Sequence, residues 1–255
     1  MNSRAHSDSE PGTEAQQPGV FVTTHWSLVL TAARQDTRSA RKALEDLCRT
    51  YWLPLYTYVR RRGLSVEDAQ DLTQAFFAKL LERQWLACAE EARGRFRTFL
   101  LTAMERFLAN EWDKERALKR GGGMVKVPIQ LDTAETRYGV DPQDTRTPEQ
   151  AFEYQWATTL LEQVLNRLER DYQQRGQGSF FAALKPTLVG ERGDQPYAAL
   201  AVQLGMSESA VKVAVHRLRQ RYRELLRAEV GQTLAAPEEI EAEMRYLFGV
   251  LARGR

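Results

Sequence analysis

Residues 197–221 read YAALAVQLGMSESAVKVAVHRLRQR, and this stretch decides the fold. Leu200, Leu204, Met206, Val211, Ala214 and Leu218 recur at helical spacing on either side of a short break. Ala201 is small enough to let two helices cross closely. Gly205 falls where the turn needs a left-handed backbone, which glycine adopts without steric cost. Ser207 is placed to cap the second helix. The pattern predicts a helix-turn-helix, a unit that lays its second helix in the major groove of duplex DNA. Ser207, Glu208, Ser209, Lys212, Val213 and His216 occupy the groove-facing positions of that helix. Lys212 is suited to donate to guanine and Val213 to meet a thymine methyl. Arg217, Arg219 and Arg221 are suited to phosphate, which positions a protein without specifying sequence. His216 either meets a base or simply faces solvent.

Charge placement says more than total charge. The 255 residues carry a formal net charge of only +2. Met206–Arg227 nevertheless holds six Lys/Arg against two acids, and Arg93–Arg120 eight against four, so each stretch has a local charge of +4. Two basic segments far apart in the chain point to two contacts with a polyanion. Charge runs are also the ordinary dress of solvated helix faces, and only the second segment has a motif to tip the balance. Hydrophobic residues make up 43% of the chain, enough to bury a core. Cys48 and Cys88 fit no metal spacing and read as buried free thiols in a reducing compartment. His6, His25 and His216 are scattered. No phosphate-binding loop or nucleophile elbow occurs, no apolar run reaches the ~20 residues of a membrane span, and the polar N-terminus has no signal-peptide core. The expectation is a cytoplasmic protein without cofactor, metal, membrane insertion or small-molecule substrate.

Apolar residues keep a helical period almost throughout, so the expected fold class is all-α. Residues 1–22 read as a disordered tail. Thr24 opens a helix through Trp26, Val29, Leu30 and Ala33; a second runs from about Ser39 to Arg61, where Pro54 is expected to bend or interrupt it. Ser65, with Asp68 three residues on, opens a third through Arg83. A fourth covers about Arg93–Lys119, with Phe96, Ala103 and Phe107 on its apolar stripe and Trp112 off it. Gly121, Gly122 and Gly123 end that helix. Residues 121–147 then read as a flexible linker, able to reach ~90 Å when extended. Thr147-Pro148-Glu149 restarts helix for a second domain, 148–234. The extension 235–255 contains the amphipathic acidic segment EEIEAEMRYLFGVL. It is expected to pack on the second domain, either adding core or competing with DNA for the basic helix.

The order of these parts is recognisable. DAQDLTQAFFAKLLER is followed by FRTFLLTAMERFLANEWDKERALKR, a tether and a C-terminal helix-turn-helix. Over most of residues 23–232 the chain resembles the extracytoplasmic-function (ECF) group of bacterial sigma-70 family factors. That resemblance implies a region 2-like domain at 23–120 and a region 4-like domain at 148–234. It implies binding to core RNA polymerase, recognition of the promoter −10 and −35 elements, and help in opening the duplex. Polymerase docking would fall to Asp68, Asp71, Leu72, Gln74, Phe77, Lys79 and Leu80. Contact with the −10 element would fall to Arg97, Arg106, Asn110, Trp112, Lys114, Arg116, Lys119 and Arg120. The helix-turn-helix set named above would read the −35 element. Members commonly carry Glu where Ala75 stands and Asn where Arg106 stands, so those two contacts differ here. Many members are held inactive by an anti-sigma partner.

Two other classes compete. A stand-alone helix-turn-helix regulator would form stable dimers on a palindromic site, and the helix near 149–172 is available to serve as a dimer helix. A nuclease with a DNA-binding module would need a compact carboxylate or metal-ligand set. Asp68 and Asp71, three apart on one helix, read instead as a solvated face or a protein contact.

Overall fold

The computed structural model describes residues 38–80, 95–118, 145–189, 196–234 and 236–253. Among them every regular element is helical, apart from one isolated antiparallel bridge between Arg95 and Leu234. The all-α expectation holds for these residues.

Local chemistry sets the helix ends. Helix α1 (Arg38–Arg61) runs through Pro54 as one helix, so the proline does not interrupt it. The proline is buried, and the amide of Gln163, 114 positions away, donates to the neighbouring Arg49 carbonyl at 3.0 Å. Gln163 belongs to the helix Pro148–Gln174, so α1 is tied to that helix a little over one turn before the proline. Gly63, at φ +86°, turns the chain after α1. Ser65 then caps α2 (Val66–Leu80): its Oγ accepts from the Asp68 amide at 3.1 Å and donates to the Asp68 carboxylate at 2.8 Å. Helix α3 (Phe96–Leu118) follows. Helix α4 (Pro148–Gln174) opens with a capping box, Thr147 and Gln150 each bonding the other's backbone N–H, and with Pro148 in its first turn. Short helices α5 (Gly178–Leu184) and α6 (Pro186–Val189) lead to α7 (Tyr197–Leu204) and α8 (Glu208–Gln232). A 3-10 turn at Pro237–Glu239 then opens α9 (Ile240–Arg253).

Helix α4 is the axis of the packing. One side carries Phe152, Trp156, Leu160, Val164 and Leu168, all buried, at the spacing that makes one helix face. Against α4 lie α1, α8 and α9. Helix α2 packs on α1 and α3, where the rings of Phe76 and Phe107 meet edge to face at 5.7 Å. The apolar side chains of α1–α3 and of α4–α9 form one continuous core. The two helical groups flanking residues 119–144 are therefore packed together in this structure. Of the expected linker, 121–144 lies outside the described residues, as do the tail 1–22 and the helix at Thr24. Among the described residues no single helix is long and apolar enough to cross a membrane.

Candidate nucleic-acid interface

Helices α7 and α8 meet at 100° across Gly205, Met206 and Ser207. A three-residue turn at near a right angle is the geometry of a DNA-binding helix-turn-helix. Gly205 sits at φ +63° and ψ 33°, the left-handed region the turn demands, and the Met206 amide bonds back to the Ala201 carbonyl at 3.0 Å. Ser207 caps α8, its Oγ accepting from the Ala210 amide at 3.2 Å, with the Ser209 hydroxyl 3.0 Å away. Leu200, Ala201, Val211, Val215 and Leu218 bury the seam between the helices.

The outward side of α8 is a stripe. Ser209, Lys212, Val213 and His216 are exposed at spacings of three and four. Val213 is 49% exposed, a β-branched apolar residue left in water. Lys212 pairs with Glu208 one turn earlier at 2.7 Å, which holds its ammonium above the ordinary lysine value. Both partners are solvated, so the pair gives way easily to a stronger anion. Arg217 is exposed, and so is Arg221, which lies 3.7 Å from Asp171 and 3.6 Å from Glu224. Arg219 corrects its expected phosphate role: it turns inward and donates to the Thr187 carbonyl at 2.8 and 3.3 Å, fixing α8 to α6. Arg223 was not among the expected contacts, yet it is exposed two turns beyond His216 on the same stripe. Its position at i+7 from His216 was the available signal.

The α3 set is divided. Arg106 and Asn110 are exposed one turn apart, and Lys114 is exposed and paired with Glu111 at 2.7 Å. Trp112 is half-buried against the core. Arg116 lies in α3 with its side chain undescribed, and Lys119 and Arg120 lie outside the described residues. Arg97 is the correction here: it is 3% exposed and faces the interior. It bonds Glu243 of α9, and its guanidinium sits 4.8 Å from the Trp156 ring and 4.4 Å from the Tyr246 ring. Glu243 is 0% exposed; its other oxygen is 2.8 Å from Arg95 Nε, an ion-pair distance without hydrogen-bond alignment. The basic count around residue 97 hid a counter-ion 146 positions downstream.

The expected docking face of α2 is likewise divided. Asp68 is exposed, while Asp71, Leu72, Gln74 and Lys79 are half-buried. Phe77 and Leu80 are core residues rather than outward anchors: Phe77 stacks on Trp52 at 5.6 Å, and Leu80 is 1% exposed. The acidic extension also docks differently from the competing role considered for it. It is joined to α8 by the ion pair Arg227–Glu241, beyond Arg221, and Lys212, Val213, His216 and Arg217 remain exposed. Among the described residues no group of His, Cys, Asp or Glu is placed to hold a metal ion. Burial pushes the Cys48 thiol up to about 11, away from nucleophilic work.

No family model, curated protein or solved structure matches the chain.

Proposed function

We propose that this chain is an alternative sigma factor of the ECF group, which binds core RNA polymerase and brings it to promoters. One observation carries the reading: a helix-turn-helix with a 100° crossing, a left-handed Gly205, a capped second helix and an outward stripe of Lys212, Val213, His216 and Arg223. That stripe combines donors for base edges with an apolar group for a thymine methyl, and neighbouring arginines supply phosphate contacts. In this reading the stripe takes the −35 element. Arg106, Asn110 and Lys114 on the exposed side of α3 take the −10 element. Asp68, Asp71, Leu72, Gln74 and Lys79 on α2 form a mixed rim suited to a reversible protein interface. The protein acts by binding and positioning, in the cytoplasm, with no covalent step of its own.

A second reading has its own support. Because α1–α3 and α4–α9 share one core, the chain also fits a regulator that reads DNA through α8 without polymerase. In vitro transcription separates the two. Core polymerase supplied with the purified chain initiates at discrete sites on genomic DNA if the sigma reading is right. DNA binding without polymerase association or initiation favours the regulator.

A further inference from the structure

Glu208 and Lys212 are the charged residues at the leading end of α8. They stand one turn apart, both exposed, with the ammonium 2.7 Å from a carboxylate oxygen. The hydroxyls beside them already have partners: Ser207 Oγ accepts from the Ala210 amide at 3.2 Å and lies 3.0 Å from the Ser209 hydroxyl. A recognition helix meets base edges with its N-terminal residues, so here a carboxylate is carried toward a polyanion. On most sequences that is unfavourable. A phosphate would draw Lys212 away and leave Glu208 facing further negative charge, and the guanine and thymine edges present acceptors to it.

One kind of edge serves both groups without parting them. In a C·G pair the cytosine N4–H donor lies beside the guanine O6 acceptor, about 2.9 Å apart across their own hydrogen bond. The Glu208–Lys212 contact, 2.7 Å long, offers an acceptor beside a donor at matching separation. Laid over that pair, the carboxylate accepts from N4–H. The ammonium keeps one N–H on Glu208 and turns its others to guanine O6 and N7. The reversed pair, G·C, sets the carboxylate against O6 and the ammonium against an amino group. A·T also places a donor beside an acceptor, but adenine N7 then brings a second acceptor up to the carboxylate, and the thymine methyl crowds the ammonium. C·G has neither fault.

Resting on the DNA-reading role proposed for α8, which the sigma and regulator readings share, we infer that Glu208 and Lys212 read one C·G base pair as a unit, Glu208 taking the cytosine and Lys212 the guanine of the same pair. Glu208 is then a specificity-determining residue that works mainly by rejection. Lysine alone is a point charge on a flexible stem and fixes no direction; it would take a guanine on either strand. Its tie to Glu208 supplies the direction, because the carboxylate admits only the strand order that puts an amino group beneath it.

The full chain, alone and with core polymerase, is used to select duplexes from a randomised library. The wild type enriches a site in which one position takes C·G over G·C by about 5- to 150-fold, the range for one good side chain–base pairing, with A·T between them. Glu208→Gln moves that position toward A·T, because a glutamine amide suits adenine N6 and N7. Glu208→Ala and Lys212→Ala relax the same position, and the double variant relaxes it no further than the more affected single, as groups acting together require. Both side chains are exposed, so these variants keep the fold, which thermal midpoints check. A Glu208→Ala loss shared by all sequences would make the carboxylate a helix-start residue only and overturns the inference. So does relaxation of different positions by the Glu208 and Lys212 variants, or a wild type that prefers A·T or G·C where they act. A wild type that enriches nothing in either form overturns the DNA-reading role of α8 itself, and the inference with it.

Discussion

The first turn of α3 and the middle of α8 carry the same kind of side chain in opposite surroundings. On α3, Arg97 is enclosed by Glu243, Trp156 and Tyr246. On α8, Lys212, Arg217 and Arg223 stand in solvent. An enclosed cation with its counter-ion has little field left to offer a polyanion, and its work is to hold two elements in register. A solvated cation contributes little to stability and keeps its charge for a phosphate or a base edge. A positive count in a segment therefore says nothing about which of these it is doing until the location of the nearest carboxylate is known.

Stability is where the contrast is largest. Arg97→Met leaves Glu243 buried without its main partner and is expected to cost about 3–5 kcal/mol. Adding Glu243→Met recovers most of that loss, because the pair is replaced by apolar volume. Arg217→Ala changes stability by less than about 0.5 kcal/mol. Denaturant midpoints at constant slope measure all three. Equal losses for Arg97→Met and Arg217→Ala would erase the distinction between the two regions.

DNA binding inverts the order. Lys212→Ala is expected to weaken binding by about 1–3 kcal/mol on the preferred site and to relax selection at one base position. Arg217→Ala weakens all sequences alike and reduces the salt slope by about 1. Titrations at several salt concentrations, on preferred and scrambled duplexes, separate the two effects. A Lys212 variant that loses affinity uniformly would move that residue from base reading to phosphate contact.

Smaller still is the effect of the turn that aims α8. Gly205→Ala forces a Cβ onto a backbone at φ +63°, at a cost of about 1 kcal/mol. Ser207→Ala removes the cap on the Ala210 amide for about the same. Both should lower the thermal midpoint and leave the α3–α9 junction unchanged. A Gly205→Ala variant as stable as the wild type would mean that the turn does not need its left-handed residue.

What could be read from the sequence was what lies within a few residues of its cause. Gly205 with Ser207, Thr147 with Pro148, and Ser65 with Asp68 each state their structure locally, and each stands as expected. The apolar periods of α4 and α8 likewise announce their buried faces. Partnerships across the chain were not legible. Pro54 read as a breaker from its own chemistry, and nothing within a few residues of it says that the helix runs on. Phe77 and Leu80 looked like outward anchors because the neighbours that bury them are set by how α1 and α3 pack on α2. Arg97 looked like a contact to the −10 element because Glu243 is 146 positions away. The acidic extension was plainly an amphipathic helix, but an amphipathic face says that something covers it and not what.

The smallest effect bears most directly on why Arg97 and Arg217 differ. Burial raises the Glu243 carboxyl above its ordinary value of 4.5, and Arg97 and Arg95 pull it back only in part. A carboxyl whose value is raised by folding holds more proton in the folded protein than in the unfolded one over the interval just above 4.5. Stability from this group therefore grows as pH falls through that interval, and is lost as pH rises past the raised value. Glutamine at the same place does not titrate. The difference in thermal midpoint between the wild type and Glu243→Gln should move in favour of the wild type as pH falls from about 7 toward about 4.5. The opposite slope would mean that the two arginines outweigh burial. The junction would then be held by the attraction of its charges, and Arg97 would differ from Arg217 in the strength of its pairing rather than in the single register that pairing allows.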